Sequence, residues 1–492
     1  MRSCLYKFLS LSCVLALFGG SVLARDNEPT KKRNFNSSYI VDEKISDDEE
    51  AQEIDYYPFT KSKGSIAREN VIGIRISKNK ITLLGKDKTY SEEQWKDENF
   101  TEADCFSKYP ELLSVEICNL DLTKEVLKGI RKFLPMTVKN LIINSCTVAK
   151  RDFEEFTDII TRHKQLEFLT IMDPSMARAE SAKLLAAVGD LEVIKCLRLT
   201  LGELGDEGCT ILQKTLEKSK ETLSELNLGF MRVKDSQVYD NLLRFLGELK
   251  KLNRLEYSVL ESTENQVREF FGSLANLKEL RDLKICFDDF NSHDGVEAYH
   301  NSKALNAALE QLKHLENLDI SDMNLPDSVL QTISTALERL TRLKTLNVSG
   351  DPINEQTAKV LATSLKGMNS LISFVANNCE MSDSAFSSLC SGLQNDSLQY
   401  AYFRGNNIAG AVKSLSVSQM KNLIAVNFAD NKITLPDVIG FMETIPSGTK
   451  LKVVNWEGND FSGVSERQQV KERNRLKIWK KEHGVNTLDL GI

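Results

Sequence analysis

Along the second half of the chain, apolar and polar positions alternate in one short pattern that returns at a fixed interval. Leu398-Gln-Tyr-Ala-Tyr-Phe403-Arg-Gly-Asn406-Asn-Ile408, Leu423-Ile-Ala-Val-Asn-Phe428-Ala-Asp-Asn431-Lys-Ile433 and Leu451-Lys-Val-Val-Asn-Trp456-Glu-Gly-Asn459-Asp-Phe461 all fit L-x-x-L-x-L-x-x-N-x-L. The alternation predicts a short strand with one buried face. The Asn that follows it is placed to turn its amide inward, toward backbone groups left open where the chain leaves the strand. The same phase extends back through Leu371, Leu343, Leu315, Leu280, Leu252, Leu223, Ile194, Leu166 and Val138 to Leu112. The intervals are 25 to 29 residues, with one of 35, and chance does not hold a register that long.

Between strands the period changes to that of a helix. Residues 182–188, 328–337 and 358–365 place apolar side chains at i, i+3/i+4 and i+7. One strand and one helix cannot bury their own apolar faces, but stacked units bury a continuous core between a parallel sheet and a layer of helices.

This motif resembles the leucine-rich repeat, and a repeat near 28 residues with a full helix is similar to the ribonuclease-inhibitor-like subtype. The resemblance covers residues 112–461. It implies an α/β leucine-rich-repeat solenoid, a horseshoe with the parallel sheet on the concave face and helices on the convex face. The ninth position departs from the family: Asn stands there in the last three repeats, Cys at Cys146 and Cys379, and Leu, Met, Pro, Gly or Asp elsewhere.

The rest of the chain divides around the repeats. Residues 1–24 carry a basic lead, an apolar run and a small-residue end, Val22-Leu23-Ala24, the layout of a secretory signal peptide. Residues 25–65, rich in Asp and Glu between Asp42 and Asp55, are expected to form a disordered leader. Residues 66–111 are an N-terminal cap region in which Val71, Ile74 and Ile76 fit the repeat template. Residues 112–464 are the repeats. Residues 465–492 are a C-terminal helical cap, with Ser465 as N-cap, Gly484 as stop, and Val470, Leu476, Ile478 and Trp479 closing the core. The long interval carries an acidic stretch, Asp288 to His300, read as an enlarged loop without a metal-ligand spacing.

Charge and chemistry narrow the function. A net charge of −7 opposes nucleic acid as a partner, and no later segment is apolar enough to span a membrane. No GxSxG, P-loop, HExxH or GxGxxG motif occurs, and the five His are scattered. Neither cofactor nor metal is expected, and the chain is read as no enzyme. Eight cysteines follow the signal segment without a CxxC pair. Two readings stay open: buried free thiols, in tension with export, or pairing after folding.

The function is therefore expected at the outward strand positions, as an exported scaffold holding a partner protein. Tyr400, Tyr402 and Arg404, with Val375, Asn377 and Asn427 beside them, have the composition of a binding hot spot. The alternatives are a regulator of an enzyme, by inhibition or GTPase activation as in the resembling family, and an enzyme with an unrecognised thiol site.

Overall fold

The computed structural model describes residues 60–61, 71–77, 80–85, 89–94, 112–172, 178–201, 203–233, 236–260, 262–287, 295–323, 325, 327–461, 465–483 and 487–489. Residues 1–59, which hold the expected signal peptide and most of the leader, lie outside the described residues, as do 288–294 of the acidic stretch. The chain divides into two compact units, residues 1–176 and 177–492.

In the N-terminal unit the strands are β1 (Thr60–Lys61), β2 (Val71–Ser77), β3 (Lys80–Gly85), β4 (Thr89–Gln94), β5 (Ser114–Cys118), β6 (Asp121–Leu122), β7 (Asn140–Asn144), β8 (Thr147–Val148) and β9 (Phe168–Met172). The helices are α1 (Lys124–Phe133) and α2 (Phe153–Arg162). Strands β5, β7 and β9 pair in parallel in repeat register, with Ser114 opposite Asn140 and Asn140 opposite Phe168. Strand β2 joins them in parallel, Ile74 opposite Val115, where the template places it. It does not go on into a repeat turn: β2, β3 and β4 fold back as an antiparallel meander. Strand β1, inside the stretch read as leader, pairs with β4.

The C-terminal unit contains β10 (Cys196–Thr200), β11 (Glu203–Leu204), β12 (Glu225–Val233), β13 (Arg254–Leu260), β14 (Asp282–Phe287), β15 (Asn317–Asp319), β16 (Thr345–Asn347), β17 (Ser373–Val375), β18 (Tyr400–Tyr402), β19 (Ala425–Asn427), β20 (Val453–Asn455) and β21 (Thr487–Asp489). Its helices are α3 (Arg178–Val188), α4 (Asp206–Lys218), α5 (Gln237–Leu246), α6 (Glu264–Leu274), α7 (Gly295–Leu309), α8 (Asp327–Leu337), α9 (Glu355–Lys366), α10 (Asp383–Cys390), α11 (Leu435–Met442) and α12 (Glu466–His483). Strand β10 pairs with β12, and from β12 to β21 each strand pairs in parallel with the next.

Each of the thirteen main strands starts two residues after the leading apolar residue that the sequence pattern marks, and each of those leading residues is fully buried. The architecture is therefore an α/β leucine-rich-repeat solenoid, with parallel strands on one side of the core and helices on the other. In the 25-residue interval after Leu398 there is no room for an α-helix, and 3-10 turns at Gly410–Ser414 and Val417–Gln419 replace it. The 35-residue interval is filled in part by the 15-residue helix α7, so its surplus is not loop alone.

The ninth repeat position supplies the bonds where several of the strands end. Asn431 accepts a hydrogen bond from the Ile408 N–H (3.1 Å) and donates to the carbonyls of Phe403 (2.9 Å), Phe428 and Ala429 (both 3.1 Å). Asn406 and Asn459 do the same one repeat to either side. Cys379 donates its thiol to the carbonyls of Val348 (3.4 Å) and Asn377 (3.3 Å), and Cys146 donates to those of Ile117 and Asn144 (both 3.5 Å). Where the position is Met231 or Leu260, no side chain can satisfy the turn. There the backbone stays in the sheet, and β12 and β13 run to nine and seven residues where β18 to β20 have three.

One residue earlier the backbone enters the left-handed region, at Asn119, Ser145, Asp322, Gly350, Asn378, Gly405, Asp430 and Gly458. Glycine alternates with Asp or Asn in the C-terminal repeats because the oxygen of one packs over the next: a Cβ on Gly405 would stand 2.0 Å from Asn378 Oδ1.

Changing Asn431 to Leu leaves the Ile408 N–H without its acceptor in a dry interior and removes one of the bonds to each of three carbonyls. Stability should fall by about 1–3 kcal/mol. Urea denaturation, with hydrogen exchange read at the Ile408 N–H, measures it, and an unchanged midpoint would mean the turn reaches water.

Candidate protein-binding face

Alternate strand residues point away from the helices onto an open sheet face, and the pattern holds from β5 onward. In the C-terminal unit this face has two zones of different chemistry.

The first zone, β10 to β15, is charged and internally paired. Arg198 bonds Glu225 at 2.7 Å, Arg254 bonds Glu256 at 2.6 Å, and Lys284 stands 3.7 Å from Asp319. Asn227 donates to the second oxygen of Glu256 at 2.6 Å. Arg198–Glu225, Asn227–Glu256 and Lys284–Asp319 bridge neighbouring strands, Arg254–Glu256 lies along one, and Cys196, Thr200, Asn227, Glu256 and Ser258 at outward strand positions are buried. Burial alone would raise the Glu256 carboxyl, but Arg254, Lys284 and Arg198 outweigh it and hold it below the ordinary range. Burial wins at Asp282, whose carboxyl is raised despite Asn317 and Arg254.

The second zone, β16 to β20, carries the residues singled out from the sequence. Strand pairing puts Val375, Tyr402 and Asn427 in one row, and Ser373, Tyr400 and Ala425 in the row beside it. Beneath them the sixth repeat positions form an aromatic spine. Phe403 stacks on Phe428 at 5.8 Å, Phe428 stacks on Trp456 at 5.1 Å, and Phe386 meets Phe403 edge-on at 5.1 Å. Such contacts add about 0.5–1.5 kcal/mol each beyond area burial and make the strand a rigid base.

Tyr400 and Tyr402 are both half-buried. Burial, with Tyr400 beside it, pushes the Tyr402 phenol up to about 12, so it stays a neutral hydrogen-bonding group. Arg404 is positioned twice, by its N–H to Asn377 Oδ1 (2.8 Å) and by its guanidinium to Asp430 (2.6 Å).

Two of the singled-out residues have structural work. The side-chain oxygen of Asn377 holds the Arg404 N–H, and that of Asn427 accepts the Ala429 N–H at 2.9 Å. Asp319, Asn347 and Asn455 cap the N–H two residues on in the same way. Both Asn377 and Asn427 are buried, so their oxygens serve the turn. A polar residue at the strand's end, two before the turn, is the signal that distinguishes this role in Asn427.

Seven described cysteines are free thiols; Cys118 and Cys286 are half-buried and the other five are buried. Burial, then Glu225, raises the Cys196 thiol, and burial likewise raises Cys379 and Cys390, which keeps them protonated and poorly nucleophilic. A cavity of about 510 Å³ is lined by Asp121, Thr123, Glu125, Arg151 and Asp152 among others, and one of about 260 Å³ by Ala179, Ala182, Leu204, Gly205, Glu207 and Gly208; neither lining contains Cys or His. No helix of the described residues is long and apolar enough to cross a membrane.

No family model and no curated protein matches this chain. Among solved structures, an internalin from Listeria monocytogenes aligns over 71% of this chain and 82% of its own, at 16% identity and a TM-score of 0.34. So distant a likeness bears on neither partner nor residues.

Two measurements check the face. Replacing Glu256 by Gln removes one partner of a buried pair and should cost about 3 kcal/mol at pH 7. Because the folded carboxyl is depressed, its stabilisation is present above the ordinary carboxylate pKa and lost as pH falls through the folded value. The gap between wild type and variant should therefore be full at neutral pH and narrow only as pH falls below the ordinary carboxylate range; a gap independent of pH would mean the charge is not what matters. Of the described thiols, Cys118 and Cys286 should react with a thiol reagent in the native state and the other five only on unfolding, read by mass spectrometry of labelled peptides.

Proposed function

We propose that this chain is an exported, non-enzymatic scaffold of the ribonuclease-inhibitor-like subtype that holds a partner protein on the open face of its C-terminal repeats. The observation that carries this reading is the pair of half-buried tyrosines on β18, over an aromatic spine, beside a tethered arginine in the turn that follows it. Tyr and Arg supply most binding energy at interface centres when their conformations are already fixed, because little side-chain entropy is left to lose. The paired charges of β10 to β15 suit a different task. They set which partner surfaces are rejected, since an unmatched charge laid over them is desolvated without compensation. Export rests on the basic, apolar and small-residue sequence of residues 1–24. The raised Cys196, Cys379 and Cys390 thiols are poor nucleophiles, and no observation favours an inhibitor or a GTPase activator over a plain scaffold.

The test begins with capture of a stoichiometric partner on the intact chain. Tyr400→Ala with Arg404→Ala should then weaken binding by about 4 kcal/mol, near 2 kcal/mol for each anchor. The melting temperature should change little, since both side chains are only part-buried. The control is Lys214→Ala with Lys413→Ala in the helical layer. If that pair abolishes binding while the Tyr-Arg pair is silent, the functional surface is on the helices.

A further inference from the structure

Among the described residues of the C-terminal unit, the large hydrophobic side chains that stand exposed are Val470 and Ile478, and both lie on α12. The sequence pattern assigned them to the closing of the core. The structure gives that task to Leu476, which is buried with Glu472, while Trp479 is half-buried and β21 pairs with β20 to extend the sheet. At about 100° per residue, Leu476 and Glu472 lie on one side of the helix, and Val470 and Ile478 lie on the other, roughly 80° apart. Arg467 and Asn474 fall between them and Lys471 and Arg475 alongside, all four exposed. Arg475 is also paired with Glu443, the residue after α11, while Leu476 and Glu472 face inward.

Residues 466–483 contain seven Lys or Arg against three Asp or Glu, in a chain whose net charge is −7. A basic, apolar-studded face on an acidic protein is an outlier in both properties at once. Two apolar side chains are too few to form the core of a stable protein interface, which needs about 800 Å² from each partner. Contact with an anionic bilayer makes no such demand. Its attraction adds residue by residue and needs no complementary shape, and a few apolar side chains enter the headgroup layer.

We propose that the outward face of α12 is a peripheral membrane-binding site for anionic phospholipid surfaces. The helix lies along the lipid headgroups with Val470 and Ile478 inserted and Arg467 and Lys471 against phosphate or carboxylate groups. This inference stands apart from the tyrosine strip, and either survives failure of the other.

The experiment is flotation of the intact chain with vesicles of phosphatidylcholine alone and with about a third phosphatidylserine. The chain should float only with the anionic vesicles and be released by about 0.5 M salt. Arg467→Gln with Lys471→Gln should lower partitioning roughly thirty-fold, and Val470→Ser with Ile478→Ser should lower it independently. All four positions are exposed, so circular dichroism and melting temperature should stay those of the wild type. Absence of flotation, or flotation that neither pair of changes reduces, overturns the proposal. So does tight binding of an acidic peptide spanning residues 42–55 without any binding to vesicles, which would assign the face to a protein segment.

Discussion

The solenoid depends on satisfying backbone groups at the one place in each repeat where the chain must leave the sheet inside a dry core. A strand can stop after three residues only if something else bonds the N–H and carbonyl groups it abandons. Asn406, Asn431 and Asn459 do so with an amide that both donates and accepts. Cysteine does so with a thiol that donates to carbonyls of its own and the preceding repeat. Where the position is Met231 or Leu260 the sheet itself continues, and the strands lengthen. Strand length and turn bonding thus change together between β12–β13 and β18–β20. The residue before the ninth repeat position must be left-handed, which is why Gly, Asn, Asp and Ser hold that place.

That constraint also shapes the two zones of the face. The long strands β12 to β14 bring outward side chains close together in long ladders, and charges placed there can only be tolerated in pairs. Glu256 is the centre of that arrangement, held by Arg254 and Asn227 with Lys284 and Arg198 near enough to depress its carboxyl. The short strands β16 to β20 have fewer outward positions, and their polar ends turn back to cap the backbone. What remains to face solvent is small or aromatic, and Tyr400 and Tyr402 stand out there because Ser373, Val375, Ala425 and Asn427 beside them are short.

Much of this was legible in the sequence because the leading leucines carry two constraints together, burial and a fixed interval. The start of each of the thirteen strands follows from them. Other features were hidden for physical reasons. Outwardness in a strand gives direction and not exposure, so Cys196 and Glu256 point away from the helices and are still covered by neighbours two strands wide. Asn427 has the same spacing as a ligand-facing residue, and only the reach of its oxygen to the Ala429 N–H shows that it is a cap. The meander of β2 to β4 was invisible because Ile81 fits both a repeat turn and an antiparallel return, and pairing across a two-residue loop decides between them.

The end of the chain shows how a correct element can carry a wrong face. Helix α12 begins directly after Ser465, where the sequence places it, but that boundary says nothing of its rotation. Four apolar residues at 470, 476, 478 and 479 do not share one side of a helix: 476 and 479 are neighbours on one face, and 470 and 478 on the opposite one. A helix that only closed a core would need the first pair alone. Because a further strand, β21, already covers the edge of β20, closure does not require Val470 or Ile478 at all. Their exposure beside Arg467 and Lys471 is therefore a surplus that the architecture does not account for. Selection for solubility acts against such a surplus on an open surface unless the surface is sometimes covered.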